Sequence, residues 1–117
     1  MLPAKNEMSD APETRRSPEY DLLGAQYACK FRLRISIQAA RSCTAMEMDE
    51  EEDIFNCFKG IKPAEFDHAV MSEKWPGVWL DVYKVSYLGR VLYVKFKLDQ
   101  VDAGDSVHLL SFKEWGS

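Results

Sequence analysis

The sequence predicts an α+β domain, with N-terminal helices packed on one face of a C-terminal antiparallel β-meander. Three observations carry that prediction. Helix-start signals and helix-period apolar spacing dominate residues 17–72. Three runs rich in β-branched and aromatic residues then fill 78–86, 91–98 and 106–113. With 117 residues, 46% hydrophobic and 29% charged, the chain is long enough for one domain with one core and no covalent staple.

Taken in order, residues 1–16 are polar, carry two prolines and show no periodicity, so they read as a disordered tail ahead of a single domain over 17–117. Ser17-Pro18 offers an N-cap followed by proline at the first helical position. Leu22, Ala25 and Cys29 follow at helical spacing, which predicts a helix over 18–30. Phe31-Arg32-Leu33-Arg34-Ile35 alternates and predicts a short strand. Ser36 caps a second helix running to about Met48. Asp49 to Asp53 place carboxylates at the positive end of a third, over 50–59, which Gly60 stops. Pro63 and Glu65 predict a fourth helix over 63–72. Trp75-Pro76-Gly77 is a turn, and the meander begins after it.

The middle strand of the meander is the most informative segment. Its alternation puts Leu92, Val94, Phe96 and Leu98 on a core face and Val91, Tyr93, Lys95 and Lys97 on the other. An antiparallel neighbour can bring Lys113 to that second face. A phenol and several ammonium groups suit metal-free RNA cleavage, which needs a base, an acid and cations around the phosphorane. The same alternation also describes an ordinary solvated sheet face, and spacing alone leaves both readings open.

Other chemistry is excluded or weak. Cys29, Cys43 and Cys57 are odd in number and form no CxxC pair, so they read as core residues, not as zinc ligands or a disulfide framework. His68 and His108 lack partners at metal-ligand spacing, and neither a metal nor a cofactor is expected. Residues 47–53 lack the glycine and spacing of a calcium loop. The longest apolar runs are a few residues and the first nineteen are polar, so neither a membrane span nor a secretory signal is expected, and the location expected is cytoplasmic. The net charge of −4 disfavours a nucleic-acid binder on its face. Six acidic groups within 47–53 set that value, however, and the rest of the domain is basic, so an anionic partner can still meet a locally positive face. Trp75, Trp79 and Trp115 read as packing residues, any exposed one being able to stack on a base.

Trp79-Leu80-Asp81-Val82-Tyr83, Val91-Leu92-Tyr93-Val94-Lys95 and Leu110-Ser111-Phe112-Lys113-Glu114 resemble the C-terminal half of the motility quorum-sensing regulator toxins (MqsR), whose pattern runs W-x-D-V-Y, V-Y-x-K and V-S-F-K-E. Upstream, Ile54 to Phe58, Gly60-Ile61 and Glu65-Phe66 match in order and spacing. The resemblance covers roughly residues 18–114. It implies a RelE-like fold and the toxin of a type II toxin–antitoxin pair. Such a toxin is a metal-independent, ribosome-independent endoribonuclease on mRNA, prefers GCU-like sites, and is neutralised by a cognate antitoxin that also binds DNA. By motif, Tyr93 and Lys113 fall on the family's active-site tyrosine and C-terminal lysine. His68 stands where the family carries a lysine, and Leu80 where it carries a glutamine. The expected catalytic set is therefore His68, Tyr93 and Lys113, with Lys95 and Lys97 binding substrate. The alternative is a non-catalytic RNA- or partner-binding protein on the same fold, motivated by Leu80 and the acidic run.

Overall fold

A computed structural model describes residues 12–116. The tail expected over 1–16 therefore lies outside the described residues as far as residue 11. Among the described residues three helices, a 3-10 turn and a six-stranded mixed sheet alternate along the chain. They are β1 (Thr14–Arg15), α1 (Leu22–Ala28), β2 (Leu33–Ile35), α2 (Ile37–Ala45), α3 (Glu52–Lys59), the turn Pro63–Glu65, β3 (Phe66–Met71), β4 (Trp79–Tyr87), β5 (Arg90–Val101) and β6 (Gly104–Glu114). The α+β expectation holds. The sheet is wider than the expected three-stranded meander, in the order β1-β3-β4-β5-β6-β2. The short strand expected within 31–35 joins it as β2, running parallel to its neighbour while the other pairings are antiparallel.

Three corrections follow. First, residues 66–71 are a strand, not the second half of a fourth helix. Pro63 and Glu65 do start a turn, and the Glu65 carboxylate accepts from the Lys62 N–H at 2.9 Å. At Phe66 the backbone leaves helical space (φ −60°, ψ 130°), and β3 pairs with β4 from Phe66↔Tyr83 to Met71↔Trp79. Second, Thr14 and Arg15, assigned to the tail, form the edge strand β1 against Val70 and Ala69. Third, α1 begins at Leu22, with Asp21 as its cap accepting from Gly24 N–H at 2.9 Å. A start at Pro18 is blocked because the Glu19 and Tyr20 N–H groups both donate to the buried Asp81 carboxylate, at 2.9–3.1 Å.

The remaining elements match their signals. The Ser36 hydroxyl accepts from Ala39 N–H at 3.0 Å and caps α2. That helix stops short of Met48 because Glu47 turns into the left-handed region (φ 61°), letting Met48 N–H reach back to Cys43 C=O. Asp49 caps α3, accepting from Glu51 and Glu52 N–H at 2.8 Å, while Asp53 accepts from Asp49 N–H and from the Tyr87 hydroxyl. Much of the acidic run is therefore helix-start chemistry. Tyr87-Leu88-Gly89-Arg90 closes the β4–β5 hairpin with positive φ at both central residues (49° and 77°), the twist-matched two-residue turn.

All three helices cover one sheet face. Leu22, Ala25 and Ala28 of α1, Ala39 and Cys43 of α2, and Ile54, Cys57 and Phe58 of α3 bury against Tyr83, Val85, Leu92, Val94, Phe96, Leu109 and Phe112. Phe58 meets Phe96 edge-on, with centroids 4.9 Å apart. The Gln26 amide donates to the carbonyls of Phe58, Lys59 and Ile61, satisfying the open end of α3 and tying it to α1. The three cysteines are free and buried, as expected. Burial pushes the Cys43 thiol up to about 11 and the Cys57 thiol up to about 12, which keeps both protonated. No helix among the described residues is long and apolar enough to cross a membrane.

Candidate active-site cleft

Among the described residues no helix packs across the opposite sheet face. Cross-strand pairing sets out its side chains in rows, because directly opposed residues share a face. One row runs His68 (β3), Val82 (β4), Lys95 (β5) and Ser111 (β6). The next holds Lys84, Tyr93 and Lys113. Rows lie about 7 Å apart, two residues at about 3.4 Å each. Two irregularities in pairing shape this face. The register shifts between Phe66 and His68, where Asp67 has no partner. It shifts again between Lys95 and Phe96, leaving Leu110 of β6 as an extra residue.

A cleft of about 720 Å³ opens here. His68, Tyr93, Lys95 and Leu80 line it, with Trp75, Leu110 and Ser111 among its other walls. Lys113 lines an adjoining groove that shares Gln38, Leu110 and Ser111 with the cleft and adds Arg41. The Lys113 ammonium lies 5.2 Å from the centroid of the Tyr93 ring, which itself lines the cleft. Tyr93 in turn packs on Trp115 (5.5 Å), over which Lys84 sits at 5.1 Å.

Four of the five expected site residues thus converge: His68, Tyr93, Lys95 and Lys113. Lys97 lies one row further along β5, opposite His108. It is buried, its ammonium pairs with Asp99, and it sits 4.5 Å above the Trp75 ring. The arginines of residues 32–41 do not form one patch. Arg32 donates to the Asp105 carbonyl, Arg34 stands opposite His108, and Arg41 borders the Lys113 groove. The positive character of this face comes mainly from the meander lysines.

Electrostatics follow from burial and neighbours. Burial, and secondarily the Asp67 charge, raise the Tyr93 phenol, so it stays protonated at neutral pH and can donate. Burial lowers the Lys95 ammonium, the nearby Lys113 charge lowers it further, and Glu73 opposes both. Two cations close enough to repel are a site that favours an anion between them.

Sequence reasoning missed Asp67. Its carboxylate lies 2.8 Å from His68 Nδ1, which fixes the imidazole and leaves Nε2 for other chemistry. The adjacent Asp-His pair is visible in the sequence. Neighbouring positions on the expected helix do not face each other, so that reading gives no reason to pair them. The contact is seen in β3, at the register shift between Phe66 and His68. Arg41, Gln38 and Ser111 were missed too, since only the parallel seating of β2 against β6 delivers α2 to this rim. No group of three or more His, Cys, Asp or Glu among the described residues is placed to hold a metal ion.

A family model described as motility quorum-sensing regulator, toxin of MqsA, matches residues 17–114. The chain belongs to this toxin family. No curated protein matches it. The family match spans all the described helices, all the described strands but β1, and every residue lining the cleft except Pro12. Membership implies an antitoxin, MqsA, as partner. The α+β architecture fits the family, with strands interleaved among the helices more than a simple helices-then-strands order.

Proposed function

We propose that this toxin is a metal-independent, ribosome-independent endoribonuclease acting on mRNA in the cytoplasm, and that the cleft on the open sheet face is where it cuts. The observation that carries this reading is the convergence of an Asp-oriented imidazole, a protonated phenol and two mutually repelling ammonium groups across adjacent strands. In such a reaction the 2′-hydroxyl attacks the neighbouring phosphorus, and the bond to the 5′-oxygen breaks. His68 Nε2 takes the 2′-hydroxyl proton, with Asp67 holding Nδ1. Tyr93 donates a proton to the departing 5′-oxygen. Lys95 and Lys113 offset the charge that builds on the phosphorane oxygens. The products are a 2′,3′-cyclic phosphate and a 5′-hydroxyl. Lys97, paired and buried, adds positive potential behind the cleft without reaching the phosphate itself.

The test is incubation of the purified protein with a long mixed-sequence RNA in EDTA, followed by mapping of cut ends. Discrete cuts ending in 2′,3′-cyclic phosphate, lost in Lys113→Ala, are the expected result. Intact RNA at high protein concentration overturns the reading. It would favour the second one, a protein on the same scaffold that binds RNA or a partner without cutting. Leu80 supports that second reading, since it lines the cleft with a side chain that can neither donate nor accept a hydrogen bond.

A further inference from the structure

The β3–β4 connection is short, closed and unlike the other turns. The buried Ser72 hydroxyl accepts from Lys74 N–H (3.1 Å) and Trp75 N–H (2.9 Å). Ser72 N–H donates to Val78 C=O (2.8 Å), and Val78 N–H donates to Trp75 C=O (3.1 Å). Gly77 takes φ +79°, which a side chain would strain. These bonds fix the backbone beneath Trp75. Its indole is fixed as well: Lys97, held by Asp99, lies 4.5 Å from the ring centroid, and the His108 ring lies 5.8 Å away at 54°. Exposed Lys74 reaches the ring too, at 5.0 Å.

Trp75 nevertheless stays only half-buried and lines the cleft beside Tyr93, Lys95 and His68. An indole serving only as packing would be covered by apolar neighbours. This one is backed by a buried cation and presented in a cation-lined cleft, one row along β5 from Lys95. We propose that Trp75 is a nucleobase platform, on which a base adjoining the phosphate held at Lys95 stacks, and that this contact sets part of the base preference at the cut. The proposal rests on the RNA-cleavage reading for its phosphate position, but the stacking itself is a binding property that can be measured without cleavage. A preformed aromatic surface suits a flexible single strand, because the protein side needs no ordering when the base arrives.

The test uses the full chain, with Trp75→Leu and Trp75→Phe as variants. The probe is a short fluorescein-labelled mixed-sequence RNA whose 2′ positions are methylated, so that it cannot be cut, read by anisotropy. A matched strand of abasic sugar-phosphate units is the control. Trp75→Leu is expected to weaken binding of the base-bearing strand roughly 5- to 150-fold, the range of one lost base–aromatic stack. Trp75→Phe should keep most of the affinity, and all three proteins should bind the abasic strand alike, which also shows that the variants are folded. Equal affinity of wild type and Trp75→Leu for the base-bearing strand overturns the platform, as does an equal loss on the abasic strand. Trp75-dependent binding by a wild type that cuts no RNA upholds the platform and removes the cleavage reading. Cutting at unchanged sites and rates by Trp75→Leu does the reverse. Failure of the wild type to bind either strand removes both.

Discussion

The two faces of the β4–β5–β6 meander are built from alternate residues of the same strands, yet they follow opposite rules. On the helix-covered face, Tyr83, Val85, Leu92, Val94, Phe96 and Phe112 are almost fully buried and touch one another and the helices. On the open face, Lys84, Tyr93, Lys95, Ser111 and Lys113 meet across the strands, and no helix among the described residues packs over them. Shifting β5 by one residue would exchange the two sets. The covered face therefore fixes the register, and the register assembles the cleft. Stability and chemistry are separable by substitution even though neighbouring residues serve them.

The largest expected separation is in rate. His68→Ala should slow RNA cleavage about 10²- to 10⁴-fold, the usual range for loss of a proton-transfer group. Lys113→Ala should slow it about 10²- to 10³-fold through lost charge stabilisation. Both variants should keep their unfolding free energies in urea within about 0.5 kcal/mol of wild type, as half-exposed open-face positions should. A drop in rate under roughly threefold for both would assign the chemistry elsewhere. On the covered face the pattern inverts. Phe96→Ala removes a ring that contacts Phe58, Tyr83 and Tyr20, and should cost about 3–5 kcal/mol of stability in urea unfolding. Its residual activity per folded molecule should match wild type.

The sequence pattern makes one face legible and leaves the other half-read, for a physical reason. Burial of Leu92, Val94 and Phe96 imposes strict alternation, so β5 and its outward Tyr93 and Lys95 are readable directly. The family pattern adds Lys113 and places His68. Position 68 depends on β3, where local signals and long-range pairing conflict. Pro63 and Glu65 favour a helical turn, and they make one. Phe66 to Met71 then form a strand because β4 supplies an antiparallel edge that residues 79–83 provide only after folding. The Asp67–His68 contact was unreadable for the same reason. So was the route of β1, since nothing local in Thr14-Arg15 announces a pairing with Val70 and Ala69. Lys97 follows the alternation faithfully, and is taken out of the open site by Asp99 and Trp75, neighbours that no period reports.

A smaller effect sharpens the comparison at the seam where the N-terminal segment docks. Asp81 sits on the covered face among apolar neighbours, and burial raises its carboxyl in spite of the Glu19 and Tyr20 N–H groups that favour the charge. Those two donors have no other hydrogen bond in this seam. Asp81→Ala strands both, and should cost about 1–3 kcal/mol, with loss of hydrogen-exchange protection at Glu19 and Tyr20 ahead of any change in β5. Unchanged exchange at those two amides would mean that the segment is held by Tyr20, whose hydroxyl donates to Trp79 C=O, and not by the carboxylate.

The smallest effect belongs to the open face and shows that it is not energetically idle. His108 is buried there with Nδ1 lacking a hydrogen bond, its nearest carboxylate oxygen, on Asp99, lying 3.9 Å away. Burial lowers its pKa from 6.5, Arg34, Lys97 and Lys74 lower it further, and Asp99 partly opposes them. The folded state therefore resists a proton that the unfolded chain accepts. The resulting stability is fully present above about pH 6.5 and is lost as pH falls through the lower folded value, because the unfolded state then binds more protons. Urea midpoints of wild type and His108→Gln, measured from about pH 8 down to about pH 5, isolate this group. The wild type should lose stability relative to His108→Gln as pH drops below 6.5. A difference that stays constant across that window would mean that His108 titrates alike in both states, and that the cations around it are screened by solvent and not held against the imidazole.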